Sequence, residues 1–234
     1  MTKDSSQPSL AVYRFNSQFF KTHEFSTIEP LIQTISTRIN EAYKDIQTKY
    51  GYLDTRFPRV KDHRKLIGEL HLVDHEVGYI LLLVKDSEIS DGEISERLRS
   101  KDIPLIEVSS TEDLEYNNLQ LKDVLASVAL RAIPSDPTQL EPKTFISFFR
   151  GAGRFLLEFL ESLVASENPQ VTHLRLHCLV CHDLVPLYSR FGYKECLPRE
   201  TQVVRDGVVV EGSSVGTRAH KNYDVTWMNK KIRS

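Results

Sequence analysis

The sequence predicts an α/β domain in which one mixed sheet carries helices on both faces. Three features predict it. Apolar residues recur at helical spacing from Ile28 to Ile46, the run Ile80 to Val84 fits a strand buried on both sides, and strand-like and helix-like segments alternate from Lys143 onward. The chain has 234 residues, 40% hydrophobic and 26% charged, enough to bury a core and unlike the composition of disordered chains.

LAVYRF, Leu10 to Phe15, is the first strand expected, preceded by a flexible tail over residues 1–9. A long helix follows, capped by Ser26 or Thr27, with Pro30 in its first turn and Ile28, Leu31, Ile32, Ile35, Ile39 and Ala42 on its apolar face. It ends near Lys49 and Gly51. Residues 54–65 form a polar, basic connector before the strand Gly78 to Val84. Residues 86–120 are polar and are expected to be an insertion with one short helix around Ile94 to Leu98.

Val124 to Ile133 is the next strand, closed by Pro134 and Pro137, and Lys143 to Phe149 another. A helix entered through Gly151 and Gly153 carries Phe155, Leu156, Phe159, Leu160 and Val164. Val171 to Val180 is a strand and Leu184 to Phe191 a helix. Two strands close the chain, Lys194 to Arg205 with a hairpin at Asp206-Gly207, and Asn222 to Asn229.

Charge and hydropathy exclude several classes of function. With 30 basic and 32 acidic residues the net charge is only -2, too little to hold a nucleic acid by its global field. No run approaches the ~20 apolar residues of a membrane-spanning helix, and the start lacks the apolar segment of a secretory signal. An odd cysteine count, 3, suits a reducing compartment, so the expected location is the cytoplasm or nucleus. Cys178 and Cys181, flanked by His177 and His182, are potential soft ligands. A strand sends the two thiols to opposite faces, however, and no second pair completes four ligands, so no metal site is expected.

Two motifs carry the chemistry. Phe149-Arg150-Gly151-Ala152-Gly153-Arg154 joins a strand to a helix, where small residues admit a close ligand and unpaired N–H groups attract an anion such as a pyrophosphate. The second motif is LVPLYSRFGY, Leu184 to Tyr193, a helix bearing Tyr188 and closed by Gly192. This stretch resembles the GCN5-related N-acetyltransferase (GNAT) superfamily, with local similarity to arylalkylamine N-acetyltransferases. The specific part runs from Lys143 to Tyr193 plus the final strand YDVTWMNK.

The resemblance implies a single-domain GNAT fold over residues 10–232 with a mixed, mostly antiparallel sheet. It further implies an acetyl-CoA-dependent transfer of an acetyl group to a small amine or exposed amino group. Gly151, Ala152 and Gly153 match the glycine end of the family's pyrophosphate loop, while its first position falls on Phe148, which cannot hydrogen-bond a phosphate. Arg150 and Arg154 supply charge beside the loop, and a backbone N–H around Phe145 and Ile146 is expected to hold the acyl oxygen. Tyr188 matches the general acid. A phenol of pKa near ~10 suits protonation of a thiolate of similar basicity. No histidine matches the arylalkylamine base, leaving Glu69, His71, Glu141 and His177 as candidates. A coenzyme A-binding module without turnover is the alternative implied by Phe148 and the missing base.

Overall fold

β1 (Leu10–Asn16) and β2 (Tyr79–Lys85) pair antiparallel along their whole lengths in the computed structural model, which describes residues 8–86, 88–110, 123–213 and 217–233. The remaining strands are β3 (Leu105–Glu107), β4 (Val124–Ala132), β5 (Gln139–Ser147), β6 (His173–Leu179), β7 (Lys194–Arg205), β8 (Val208–Glu211) and β9 (Tyr223–Lys231). Together they form one sheet of 9 described strands in the order β3-β1-β2-β4-β5-β6-β9-β7-β8. Only β1 with β3 and β5 with β6 run parallel. Every residue from Tyr79 to Val84 is buried, as its unbroken apolar run requires of a strand covered on both faces.

One face is covered by α1 (Ser17–Thr22), α2 (Phe25–Tyr50) and α3 (Leu66–Glu69). Ile28, Leu31, Ile32, Ile35 and Ile39 of α2 lie against Ile80, Leu82, Val84 and Ile146 of the sheet. Burying each such side chain contributes about 1.5–3 kcal/mol. α2 ends at Gly51, whose φ of +63° is left-handed and whose N–H donates to the Gln47 carbonyl. The helix begins at Phe25, a residue before the expected cap, so Pro30 lies inside it rather than in its first turn.

The other face is covered by α4 (Asp91–Ser100), α5 (Ala152–Glu167) and α6 (Leu184–Arg190), through Ile94, Leu98, Phe155, Leu156, Leu160 and Tyr188. Residues 88–110 are therefore more ordered than a polar insertion. The hydroxyl of Ser90 caps α4 by accepting from the Glu93 N–H, and β3 adds an edge strand beside β1. Only Ile94 and Leu98 mark the buried face of α4, which is why its sequence reads as polar. Residues 111–120 of that expected insertion, and 1–7 of the expected tail, lie outside the described residues.

One break in the sheet positions the site. β5 and β6 pair only at Gln139↔His173 and Leu140↔Leu174. β5 nevertheless stays on β4 as far as Ala126↔Ser147, and β6 stays on β9 as far as Leu179↔Val225. The β4–β5 register shifts between Ser127 and Ala129, opposite Thr144 at φ +46°. β5 and β6 have already parted after Leu140, and the bulge, which bends its strand, lies within the wedge between them. β5 also begins four residues before the expected Lys143.

Candidate active site at the strand wedge

The chain leaves β5 at Ser147 and turns into α5 through the glycine motif. Gly151 is the N-cap, with φ +93°, a backbone state that glycine adopts without the penalty a Cβ brings. Gly153 is glycine for a different reason. A Cβ there would meet Ser147 Cβ at 2.9 Å and Phe145 Cζ at 3.0 Å. The Ser147 hydroxyl accepts from the Gly153 N–H at 3.0 Å and donates to the Phe149 carbonyl at 3.1 Å. One of the amides expected to face an anion is thus engaged within the protein.

Beside this turn lies a cleft of about 370 Å³. Phe145, Phe148, Phe149, Leu187 and Phe191 form its apolar wall, and Arg150, Gly151, Gly153 and Arg154 form its polar rim. Of the residues expected to bind coenzyme, Phe145, Arg150, Gly151, Gly153 and Arg154 come together here. Ala152 is fully buried, and the side chain of Ile146 packs in the core beneath α2, so each of these two meets a ligand only through its backbone. Arg154 is paired with Glu158 at 2.8 Å, a carboxylate it shares with Lys101 at 2.9 Å. Arg150 is exposed.

Phe148 does not stand alone. The Arg38 guanidinium of α2 lies over its ring at 3.6 Å while donating to the Val124 carbonyl and to Glu41. Nothing in the sequence near the glycine motif signals this contact, because Arg38 is 110 residues away.

Tyr188 sits at the inner end of the wedge. Its ring centroid is 6.2 Å from that of Phe145 and 5.9 Å from that of Tyr193. Burial holds its phenol well above the ordinary tyrosine pKa, with smaller contributions from Tyr43 and Cys178. Tyr43 belongs to α2 and Tyr188 to α6, on opposite faces of the sheet.

Two of the four candidate bases lie at the wedge. Glu141 is buried on β5, held by Arg131 at 2.7 Å and Lys143 at 2.8 Å. His177 of β6 lies tilted by 30° against Trp227 of β9 with centroids 4.7 Å apart, and its Nε2 is buried without a hydrogen-bond partner. Burial first, then the Lys143 charge, depresses its pKa, so the ring is neutral at neutral pH. Glu69, the last residue of α3, and His71 just after it are exposed, and His71 is tied to Asp74 at 2.6 Å. Cys178 is buried, and its thiol is pushed up to about 12.

Comparison with solved structures places this architecture. A protein assigned to the GNAT family from Desulfovibrio desulfuricans superposes with a TM-score of 0.51 at 10% identity, covering 96% of this chain and 99% of that one. A spermidine N-acetyltransferase from Vibrio cholerae, in complex with CoA and spermine, gives a TM-score of 0.47 at 13% identity, with 96% of each chain covered. The fold is that of the GNAT proteins, with the mixed, mostly antiparallel sheet and two helical layers described above. No curated protein matches the sequence closely. The sporulation protein RMD6 family matches residues 1–232, and this chain belongs to that family.

Proposed function

We propose that this protein is an acetyl-CoA-dependent N-acetyltransferase acting on a small amine or exposed amino group, with residues 10–232 as its transferase domain. The wedge between β5 and β6 carries this reading. It opens beside the N-terminus of α5 at one end and holds the Tyr188 phenol and the neutral His177 ring on its two sides.

The residues of the cleft fit coenzyme A. Its apolar wall suits a pantetheine arm, and the exposed Arg150 with the first turn of α5 suits a pyrophosphate. Because Ser147 occupies the Gly153 N–H, the side chain of Arg150 takes a larger share of that anion than in a loop with every amide free. The bound thioester supplies an activated acetyl group. Along Phe145 to Ser147, a backbone N–H on the edge that has left β6 is placed to donate to the acyl oxygen. His177 takes the proton that the amine loses as its nitrogen bonds to the acyl carbon. Tyr188 gives its proton to the departing sulfur. Burial keeps Tyr188 protonated, the state a donor must have. It also makes the phenol a weaker acid than the match with the thiolate expected from the sequence, so its proton moves only as charge develops on the sulfur.

Calorimetry with acetyl-CoA, followed by an assay of free thiol release over an amine panel, tests this reading. Binding with thiol release dependent on amine is the expected result. Binding without release over the whole panel would instead point to a coenzyme-binding module.

A further inference from the structure

The α2 side of the wedge holds more positive than negative charge. Glu141 is a single buried carboxylate shared by two cations, its Oε2 with Arg131 at 2.7 Å and its Oε1 with Lys143 Nζ at 2.8 Å. Arg59, midway along the connector, acts electrostatically on Lys143 while its guanidinium lies 6.0 Å from the Tyr43 ring centroid. Across the gap Arg175 lies over Trp227 at 4.3 Å, and its Nε is buried without a hydrogen-bond partner. Among the described residues no carboxylate forms an ion pair with Arg59 or Arg175. The other carboxylate acting on this region is Glu200 of β7, which influences His177.

Arg131, Lys143 and Arg175 are partly buried cations in excess of Glu141 and cost desolvation energy that one carboxylate does not fully repay. An anion of the ligand, reached also by the exposed Arg59, is what can complete such a group. The excess lies on the face of the sheet opposite the coenzyme cleft, where His177 waits with a free nitrogen, so it adjoins the acceptor rather than the coenzyme. Arginine and lysine at such a site select planar or tetrahedral oxyanions.

We propose that the acetyl acceptor is an amine bearing an anionic group, a carboxylate or a phosphate, and that this anion binds among Arg59, Lys143 and Arg175 with the amine toward His177. The assignment of the amine rests on the transferase reading above. The anion site does not. Such a site disfavours diamines and polyamines, whose second cation meets like charge at that position.

The test compares acceptors of similar length in thiol release: β-alanine, phosphoethanolamine, β-alaninamide and trimethylenediamine. One or both anionic acceptors are expected to exceed β-alaninamide in kcat/KM by roughly tenfold or more, the size of a charged hydrogen bond, with the diamine poorest. Comparing β-alanine with phosphoethanolamine separates a carboxylate from a phosphate requirement. Arg59→Ala, at an exposed position, is expected to raise KM for the anionic acceptors several-fold, leave kcat and the amide acceptor nearly unchanged, and be rescued by Arg59→Lys. Equal rates for charged and amide acceptors, preference for the diamine, or an unchanged ratio in Arg59→Ala would each overturn the proposal.

If acetyl-CoA binds but no acceptor turns over, calorimetry of N-acetyl-β-alanine and inorganic phosphate on the CoA-saturated protein decides. Binding weakened by Arg59→Ala supports the anion site, and no binding overturns it. If acetyl-CoA itself does not bind, the transferase reading fails. The anion site is then judged by whether phosphate at fixed ionic strength stabilises the wild type more than Arg59→Ala.

Discussion

Removing the Tyr188 oxygen is the sharpest change a single residue offers. Tyr188→Phe keeps the ring among Phe145, Phe191 and Tyr193, so the core loses little. If the phenol protonates the leaving sulfur, kcat for thiol release falls by about 10²- to 10⁴-fold while acetyl-CoA affinity measured by calorimetry stays nearly constant. An effect on thermal stability alone would reduce Tyr188 to a packing residue. The glycines make poorer probes of coenzyme binding than their sequence context suggests. A Cβ on Gly153 collides with Ser147 and Phe145, and Gly151 needs its positive φ, so substitution at either position damages the unliganded protein first. Arg150 is the cleaner choice. Arg150→Ala is expected to weaken CoA binding, measured by calorimetry, by roughly tenfold or more with little change in melting temperature, since the side chain is exposed and a charge-assisted phosphate contact is worth about 1.5–3 kcal/mol.

The start of α5 shows how one element serves both fold and site. Gly151 has no side chain to cap the helix, so Ser147 supplies that function from the end of β5, receiving the Gly153 N–H and returning its own proton to Phe149. Ser147→Ala leaves the Gly153 N–H unpaired at this partly buried turn. The expected cost is about 1 kcal/mol, read by chemical denaturation. The same change frees an amide at the helix N-terminus, so CoA affinity should hold or rise. A matching fall in both stability and affinity would show that Ser147 shapes the cleft rather than competing for its donors.

For the whole molecule, acid is the expected weak point. His177 is depressed by burial and then by Lys143, and His182, buried on the turn before α6, is depressed by burial to about 4. Histidines with lowered folded pKa values bind protons more readily in the unfolded chain. Stability is therefore full above the unfolded value of about 6.5 and declines as pH falls toward 4. Denaturation between pH 7 and pH 4.5 should show this loss accompanied by proton uptake on unfolding, and His182→Phe should flatten the slope. For the same reason the acid limb of kcat/KM should lie below pH 6.5, since His177 remains a free base to lower pH than an ordinary histidine.

Local pattern determined a good deal here. The apolar run of β2, the helical stripe of α2, the glycine turn before α5 and the tyrosine of α6 were all legible, because each depends on the spacing of residues within one segment. One mixed sheet with helices on both faces followed from their order, and the GNAT layout from the resemblance of LVPLYSRFGY. Other features escaped because their cause lies far away in the chain. α4 is expected only as a short helix around Ile94 to Leu98, the two residues it buries, so its extent from Asp91 to Ser100 and the strand β3 after it are missed. α1 buries Phe19 and Phe20 in too few residues to show a period. Nothing in KTFIS announces that Thr144 adopts φ +46°, and nothing before it announces that β5 leaves β6 after Leu140. Arg38 on Phe148, Ser147 on Gly153, and the grouping of Arg59, Glu141, Lys143 and His177 came only from tertiary structure. Sequence fixes which face of its own element a side chain takes, through the 3.6- and 2-residue periods, but which faces meet across the wedge is settled by how the whole sheet packs.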